Sequence, residues 1–245
     1  MEAAAHAVAR HEKIGFQFSG GRDSVAALHV MRPHWDRMAI YITDTGDTWL
    51  ETRAVTERMQ EIVGREFTVI PSDVHAYQQE HGWPFDVVPA SATPLGRAIG
   101  GGQGAIVSRF DCCAANVMWP MHQRMLDDGI TLIVRGTRAT DYATPPTRSG
   151  FTDGTVELLY PIEDWTTEQV DAYVEAHGLP NLPMYAAGAT GSSPCLHCTA
   201  WWDDGRLPYL RQHYPAIYGD VMVHMDRMGD AVIDQFKPLY EGIKR

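Results

Sequence analysis

The sequence predicts an α/β fold: a doubly wound parallel sheet with helices on both faces, followed by a helical C-terminal region. Three observations carry this. Strand-like apolar runs alternate with segments of helical period. A turn rich in glycine and hydroxyls, Ser19-Gly20-Gly21-Arg22-Asp23-Ser24, separates the first strand from the first helix, as at the ligand-binding edge of such sheets. The chain after Cys198 reads as helices joined by short turns. The expected division is a main domain over 1–202 and a helical extension over 203–245.

The elements follow in order. Ile14–Phe18 is β-branched and aromatic, hence a strand, and Val25–Met31 reads as the helix after the turn. Ala39–Thr43 is the second strand. Val55, Met59, Ile62 and Val63 mark one face of a helix over Glu51–Val63, which Gly64 stops. Glu66–Ile70 and Thr131–Arg135 are the third and fourth strands, the latter preceded by a helix from about Ala114 to Asp127. Pro89–Gly104 reads as a loop. Its run Gly100-Gly101-Gly102-Gln103-Gly104 lacks the Lys-Ser/Thr of a phosphate loop. Thr166-Thr167-Glu168-Gln169 is a capping box opening a helix whose inner face is Val170, Tyr173, Val174 and His177.

Bulk properties bound the function. The chain has 245 residues, 44% hydrophobic and 21% charged, an ordinary globular composition. A net charge of −11 argues against broad electrostatic binding of nucleic acid. No apolar run reaches the ~20 residues of a membrane span. The start, Met1-Glu2-Ala3-Ala4-Ala5-His6, lacks the form of a secretion signal. The expectation is a cytoplasmic protein without membrane partners, so its four cysteines are not expected to form disulfides.

The turn at Ser19–Ser24 aims free backbone N–H groups at whatever lies above the helix N-terminus, which suits phosphate. The serine hydroxyls add donors, Arg22 adds positive charge, and Asp23 can orient the loop or help hold a metal ion. The bland alternative is a glycine-rich turn with a helix cap. Thr43-Asp44-Thr45-Gly46 follows the second strand, with Thr52 beyond it; a helix-capping turn is again the alternative. Arg138, in Arg135-Gly136-Thr137-Arg138, can clamp an oxyanion bidentately. Cys112-Cys113 and Cys195-Leu196-His197-Cys198 bring four thiols from two segments. That set suits a [4Fe–4S] cluster, with structural zinc or unligated thiols as alternatives; adjacent residues fit a single tetrahedral metal poorly. His197 is read as a neighbour of the site or exposed, not as a ligand.

Taken together these motifs resemble the phosphoadenylyl-sulfate (PAPS) reductase family of the ATP pyrophosphatase superfamily, whose fold is termed adenine nucleotide alpha hydrolase-like. Ser19–Ser24 is similar to the superfamily's pyrophosphate loop, and Thr43–Gly46 to its Leu-Asp-Thr-Gly signature. Gly136–Arg138 resembles its Gly-x-Arg, and Pro161–Thr166 with His177–Tyr185 resemble stretches read as structural. The cysteines look like the Cys-Cys…Cys-x-x-Cys pattern of adenylyl-sulfate reductases. The resemblance implies that Ser19, Gly20, Gly21, Arg22, Asp23, Ser24, Asp44, Thr45, Gly46 and Arg138 bind an adenine nucleotide. Arg22, Asp23 and Arg138 would act in catalysis, with Mg²⁺, and Cys112, Cys113, Cys195 and Cys198 would hold the cluster.

Two departures from the family direct the expected chemistry. No cysteine follows Cys198 to supply the family's nucleophilic thiol, and Asn116 and Val117 replace the basic pair that follows its Cys-Cys. The pyrophosphate loop, by contrast, is close to the intact form. The expected activity is ATP cleavage to AMP and pyrophosphate, activating an acceptor for cluster-assisted sulfur transfer. The acceptor, a small molecule or nucleic acid, is not identified by sequence, and neither is any sulfur-donor protein. The alternatives are a sulfonucleotide reductase using a thiol supplied in trans, or a non-enzymatic nucleotide-binding regulator or complex subunit.

Overall fold

The structure is a computed structural model and describes residues 2–100, 104–141 and 143–243. Its strands are β1 (Ile14–Gln17), β2 (Met38–Asp44), β3 (Thr68–Pro71), β4 (Trp83–Phe85), β5 (Ile106–Ser108), β6 (Leu132–Arg135), β7 (Thr152–Asp153) and β8 (Val156–Leu159). Its helices are α1 (Glu2–Arg10), α2 (Arg22–Val30), α3 (Leu50–Val63), α4 (Val74–His81), α5 (Pro94–Gly100), α6 (Arg109–Cys113), α7 (Trp119–Asp127), α8 (Thr167–Ala176), α9 (Pro183–Ala186), α10 (Arg206–His213) and α11 (Pro215–Ile243). The chain forms two interleaved units. One comprises the chain up to Asp44, Trp49–Pro71 and Pro120–Pro183. The other comprises Thr45–Thr48, Ser72–Trp119 and the chain from Met184 onward. The expected boundary at 202/203 falls inside the second unit.

The first unit is the predicted sheet. Six strands run in the order β3-β2-β1-β6-β8-β7, parallel except for the antiparallel β7–β8 pair. Successive strands add on one side of β1 up to β3, and then on the other side from β6. The C-terminal end of β1 is therefore a topological switch point. Gln17 at that end is in register with Tyr41 on one side and Arg135 on the other. Central parallel strands are covered on both faces, which is why Phe16, Ile40, Leu132 and Val134 are all buried. On one face Ile133, Val156 and Tyr41 pack with Met121 and Met125 of α7. Elsewhere in this unit α2 buries Val25, Ala26, Ala27 and Leu28 and packs with α8.

The second unit holds a two-stranded parallel sheet of β4 and β5. Phe85 and Ile106 from that sheet pack with Ala92 and with Met228 of α11. A second apolar cluster gathers Val74, Val107 and Ala200 around Cys112, Cys195 and Cys198.

Several expectations are corrected. The stretch 89–104 is not a plain loop: a 3-10 turn at Ala90–Ala92 precedes α5. The Thr93 hydroxyl accepts the Gly96 N–H at 3.1 Å, and Pro94 takes the first helical position, where its missing N–H costs nothing. Of the glycine run, Gly101–Gln103 lies outside the described residues. The helix expected over about 114–127 is α6, a π-turn at Ala114–Met118 and then α7. His177 lies just past the end of α8 as its exposed C-cap, with its ring 4.9 Å from that of His29 of α2.

Candidate functional site

The first unit places the glycine- and hydroxyl-rich turn Ser19–Ser24 at the switch point. Gly21 caps α2 in an extended conformation with no side-chain cap bond, so the N–H groups of the first turn have no partner supplied by a cap. Gly20 has φ of +77°, and a Cβ there would lie 2.7 Å from Thr52 Cγ2, so the glycine is required twice over. Ser24 Oγ donates to the Gly21 carbonyl at 2.8 Å and accepts the Ser19 hydroxyl at 3.1 Å, closing the loop on itself. Gly136 packs directly on the loop: a Cβ there would lie 2.6 Å from the Asp23 carbonyl oxygen.

That close approach lets the chain after β6 deliver Arg138 to the loop. Arg138 is buried, with Nε 3.1 Å from Asp23 Oδ1, Nη2 2.9 Å from Asp141 and Nη1 donating to Thr167 at 2.9 Å. Arg22 is also buried and bonds Asp171 at 3.2 Å. Burial pushes the Asp23 carboxyl above its ordinary range against the opposing pull of Arg138. Both arginines are thus held by carboxylates, and Arg138 braces the loop through Asp23. Asp44 ends β2 and pairs with Arg53 at 3.4 Å.

The second unit gathers the cysteines. All four line one cavity together with Arg109, Asn116, Val117 and Trp201. Among the described residues no disulfide joins them. Burial, and then the neighbouring thiols, push Cys112 up to about 12; burial and Cys198 push Cys113 up to about 11. Burial likewise raises Cys195 and Cys198. Four neutral thiols crowded in an apolar pocket form a donor set that a soft metal group would deprotonate and fill. The adjacent pair is the feature that suits a multi-iron group over one tetrahedral ion.

The surroundings of the thiols are built to hold them. Thr45, which the family resemblance assigns to the nucleotide, is buried and accepts the Cys195 thiol at 3.5 Å. Gly46 follows it with φ of +76°. Asn116, in place of a basic residue, donates from Nδ2 to the Cys112 carbonyl at 2.9 Å and reaches its Sγ at 3.8 Å. The Arg109 guanidinium lies 3.9 Å over the Trp201 ring and pairs with Asp86 at 3.0 Å. Asp86 also accepts the backbone N–H groups of Trp201 and Trp202, fixing Trp201 at a φ of +63°. Arg206, fully buried, pairs with Asp204 at 2.6 Å and donates to the carbonyls of Cys198 and Ala200.

Sequence reasoning missed Asp47, Asp86, Arg109 and Arg206. Asp47 is the most informative. Its carboxylate accepts the His197 backbone N–H at 2.8 Å and meets the ring Nδ1 at 2.7 Å, while its carbonyl accepts the Leu196 N–H. It therefore shapes the Cys-x-x-Cys turn, and its bond to the ring raises the His197 pKa. The signal was its place directly after Thr45-Gly46.

Comparisons with known proteins agree with this fold. The phosphoadenosine phosphosulfate reductase domain matches residues 13–231. The adenosine 5'-phosphosulfate reductase of Rhizobium meliloti is 24% identical over 189 residues, 70% of this chain and 64% of that protein. The chain thus spans just under two thirds of that relative. The enzyme of the same name from Deinococcus radiodurans is 23% identical over 204 residues, 82% of this chain and 72% of that protein. The crystal structure of the PAPS reductase of Candida auris, in complex with phosphate, shares the fold with a TM-score of 0.54 at 12% identity, covering 79% of this chain and 86% of that one. With its sheet order, its loop and a match along nearly its whole length, the chain belongs to the phosphoadenosine phosphosulfate reductase domain family.

Proposed function

We propose that this chain is an adenine-nucleotide-dependent enzyme of sulfur chemistry. The nucleotide phosphates would lie on Ser19–Ser24, and Cys112, Cys113, Cys195 and Cys198 would hold a [4Fe–4S] cluster. The observation that carries the reading is that every cysteine of the chain lines one cavity. Such a cluster, when bound, supplies electron transfer and an affinity for sulfur species. No thiol is then left over in this sequence as a nucleophile.

The chain's own groups have distinct tasks. The first-turn N–H groups of α2 hold phosphate oxygens, and the hydroxyls of Ser19 and Ser24 keep the loop closed beneath them. Arg22, with the Mg²⁺ that accompanies the nucleotide, offsets charge on the leaving group. Arg138 and Asp23 keep the loop in place, and Asp44 borders it at the end of β2. With ATP, an acceptor oxygen attacks the α-phosphorus. The bond to the β-phosphate oxygen breaks, and pyrophosphate leaves with the bonding electrons. Sulfide then attacks the carbon that bears the adenylated oxygen, the carbon–oxygen bond breaks, and AMP leaves with that oxygen.

A second reading is favoured by the names of the relatives. An external thiolate attacks the sulfur of adenylyl sulfate, the bond from sulfur to the bridging oxygen breaks, and AMP leaves. A further thiol then releases sulfite as a disulfide forms. Anaerobically prepared protein, incubated separately with ATP and with adenylyl sulfate plus thioredoxin or dithiothreitol, separates the two. Pyrophosphate release across candidate acceptors supports the first and sulfite the second. Neither product, from protein that carries iron and acid-labile sulfide, rejects both and leaves the cluster assignment standing.

A further inference from the structure

The first unit contains a cavity of about 360 Å³ between α7 and the β7–β8 hairpin. Its size is within the range of small-molecule sites, about 300–1,000 Å³. Gln17 and Arg135, in register at the ends of β1 and β6, line it together with the polar Asp153 and Thr155 of the hairpin. Leu126, Ile133, Leu158 and Phe151 supply apolar surface, and His122 of α7 also lines it.

Arg135 is the one Lys or Arg side chain lining this cavity; elsewhere Arg37, Arg65 and Arg97 donate to backbone carbonyls. Arg22, Arg109, Arg138 and Arg206 each face a carboxylate. Among the described residues Arg135 makes no ion pair, although Asp153 lines the same cavity. Its Nη1 makes a long 3.4 Å contact to Gln17 Oε1, its guanidinium carbon lies 5.5 Å from the Tyr160 ring centre, and its Nε is buried without an acceptor. Gln17 is itself engaged with Met125 Sδ at 3.5 Å, so the amide is not free to swing in as a better acceptor. A guanidinium partly removed from water with no carboxylate paired to it is a costly arrangement unless something else supplies the anion.

We propose that this cavity is a second ligand site, for an oxyanion carried on a compact apolar or aromatic body, with Arg135 taking the anion and the wall of Leu126, Leu158 and Phe151 taking the body. The head group is a carboxylate or a phosphate monoester, both of which match the guanidinium fork. The site stands independently of the nucleotide and cluster assignments, since it rests on Arg135 and the cavity alone.

The test is isothermal titration of the whole chain with phenyl phosphate, benzoate and the neutral benzamide. Both anions are expected to bind and benzamide not; the tighter anion names the head group. Arg135→Gln should weaken them at least tenfold. On the unmodified chain the Arg135 Nε–H resonance should shift on adding either anion, a readout that does not depend on the variant folding. Excess AMP should leave the affinity for phenyl phosphate unchanged. The proposal is overturned if benzamide binds as well as benzoate, if Arg135→Gln binds as the natural chain does, if neither anion moves the resonance, or if AMP displaces phenyl phosphate, which would make the cavity part of the nucleotide site.

Discussion

Gly136 gives the sharpest test of how the loop is held. Its φ is outside the left-handed region, so alanine is allowed by conformation and excluded by space. The added Cβ would lie 2.6 Å from the Asp23 carbonyl oxygen, 2.7 Å from its carbon and 2.8 Å from the Ser24 nitrogen. These are backbone atoms and cannot rotate aside. Ordinary contact begins at 3.4 Å, so the two backbones must part by about 0.8 Å. Overpacking of this kind costs about 1–3 kcal/mol. In a chain of this length that lowers the melting temperature by about 2–12 °C. A displacement near 1 Å at a positioned site costs up to about 100-fold in function. Gly64→Ala is the matched control: its surroundings are empty but its φ is +81°, for about 1–2 kcal/mol without touching the loop. Thermal unfolding and titration with ATP in the presence of Mg²⁺ would be measured on both. Gly136→Ala should lose nucleotide affinity at least tenfold, and Gly64→Ala less than twofold. If both variants lose similar stability and both keep their nucleotide affinity, Gly136 does not position the loop and the argument is wrong.

Other outcomes follow from the same geometry. Arg206→Met leaves the Asp204 carboxylate and the carbonyls of Cys198 and Ala200 without their donor, and should cost about 3–5 kcal/mol in urea unfolding; a loss under about 1 kcal/mol would mean the pair is not buried in solution. Burial, then His177 and Arg32, lower the His29 pKa from 6.5, so the unfolded chain takes the proton first. This group's contribution to stability is whole above 6.5 and falls as pH drops towards the folded value. NMR titration should place His29 below 6.5, and His177→Gln should move it up; an unmoved midpoint rejects the repulsion between the two rings. Asp23 has a raised pKa, so its ionised form weighs against folding as pH rises above 3.8 through the folded value. Asp23→Asn should therefore hold or raise the melting temperature at pH 7 while weakening phosphate binding, and a clear fall in melting temperature would contradict the sign.

The parts that were legible in sequence are those set by local chemistry. β1, β2 and β6 lie in the middle of a parallel sheet, so their apolar runs are unbroken and easily read. The Ser19–Ser24 turn was readable because glycine and hydroxyl residues are demanded by its backbone. β4 was missed because it has three residues and contains Pro84, and β5 is equally short. α5 was missed because its proline and glycines suggest a loop, although Thr93-Pro94 is a helix-start signal. The bracing pairs were beyond reach for a different reason. Asp23 with Arg138 and Asp86 with Arg109 are contacts of the fold, and each residue alone looks like any surface charge. Thr45 shows the same limit, since the hydrogen bond it accepts from the Cys195 thiol is a contact of the fold that its motif does not announce.

The interleaving of the two units sets the order in which the protein can be made. The chain passes between them at 44/45, 48/49, 71/72, 119/120 and 183/184, so no cut releases either one whole. β1 ends at Gln17, yet its partner on one side, β6, begins at Leu132. At the ribosome's pace of roughly 5–20 residues per second, that neighbour emerges about 6–23 s later. Throughout that interval one edge of the central strand is open to other chains. Expression at low temperature, or with a chaperone that shields strand edges, is the condition under which this fold should be recovered in best yield.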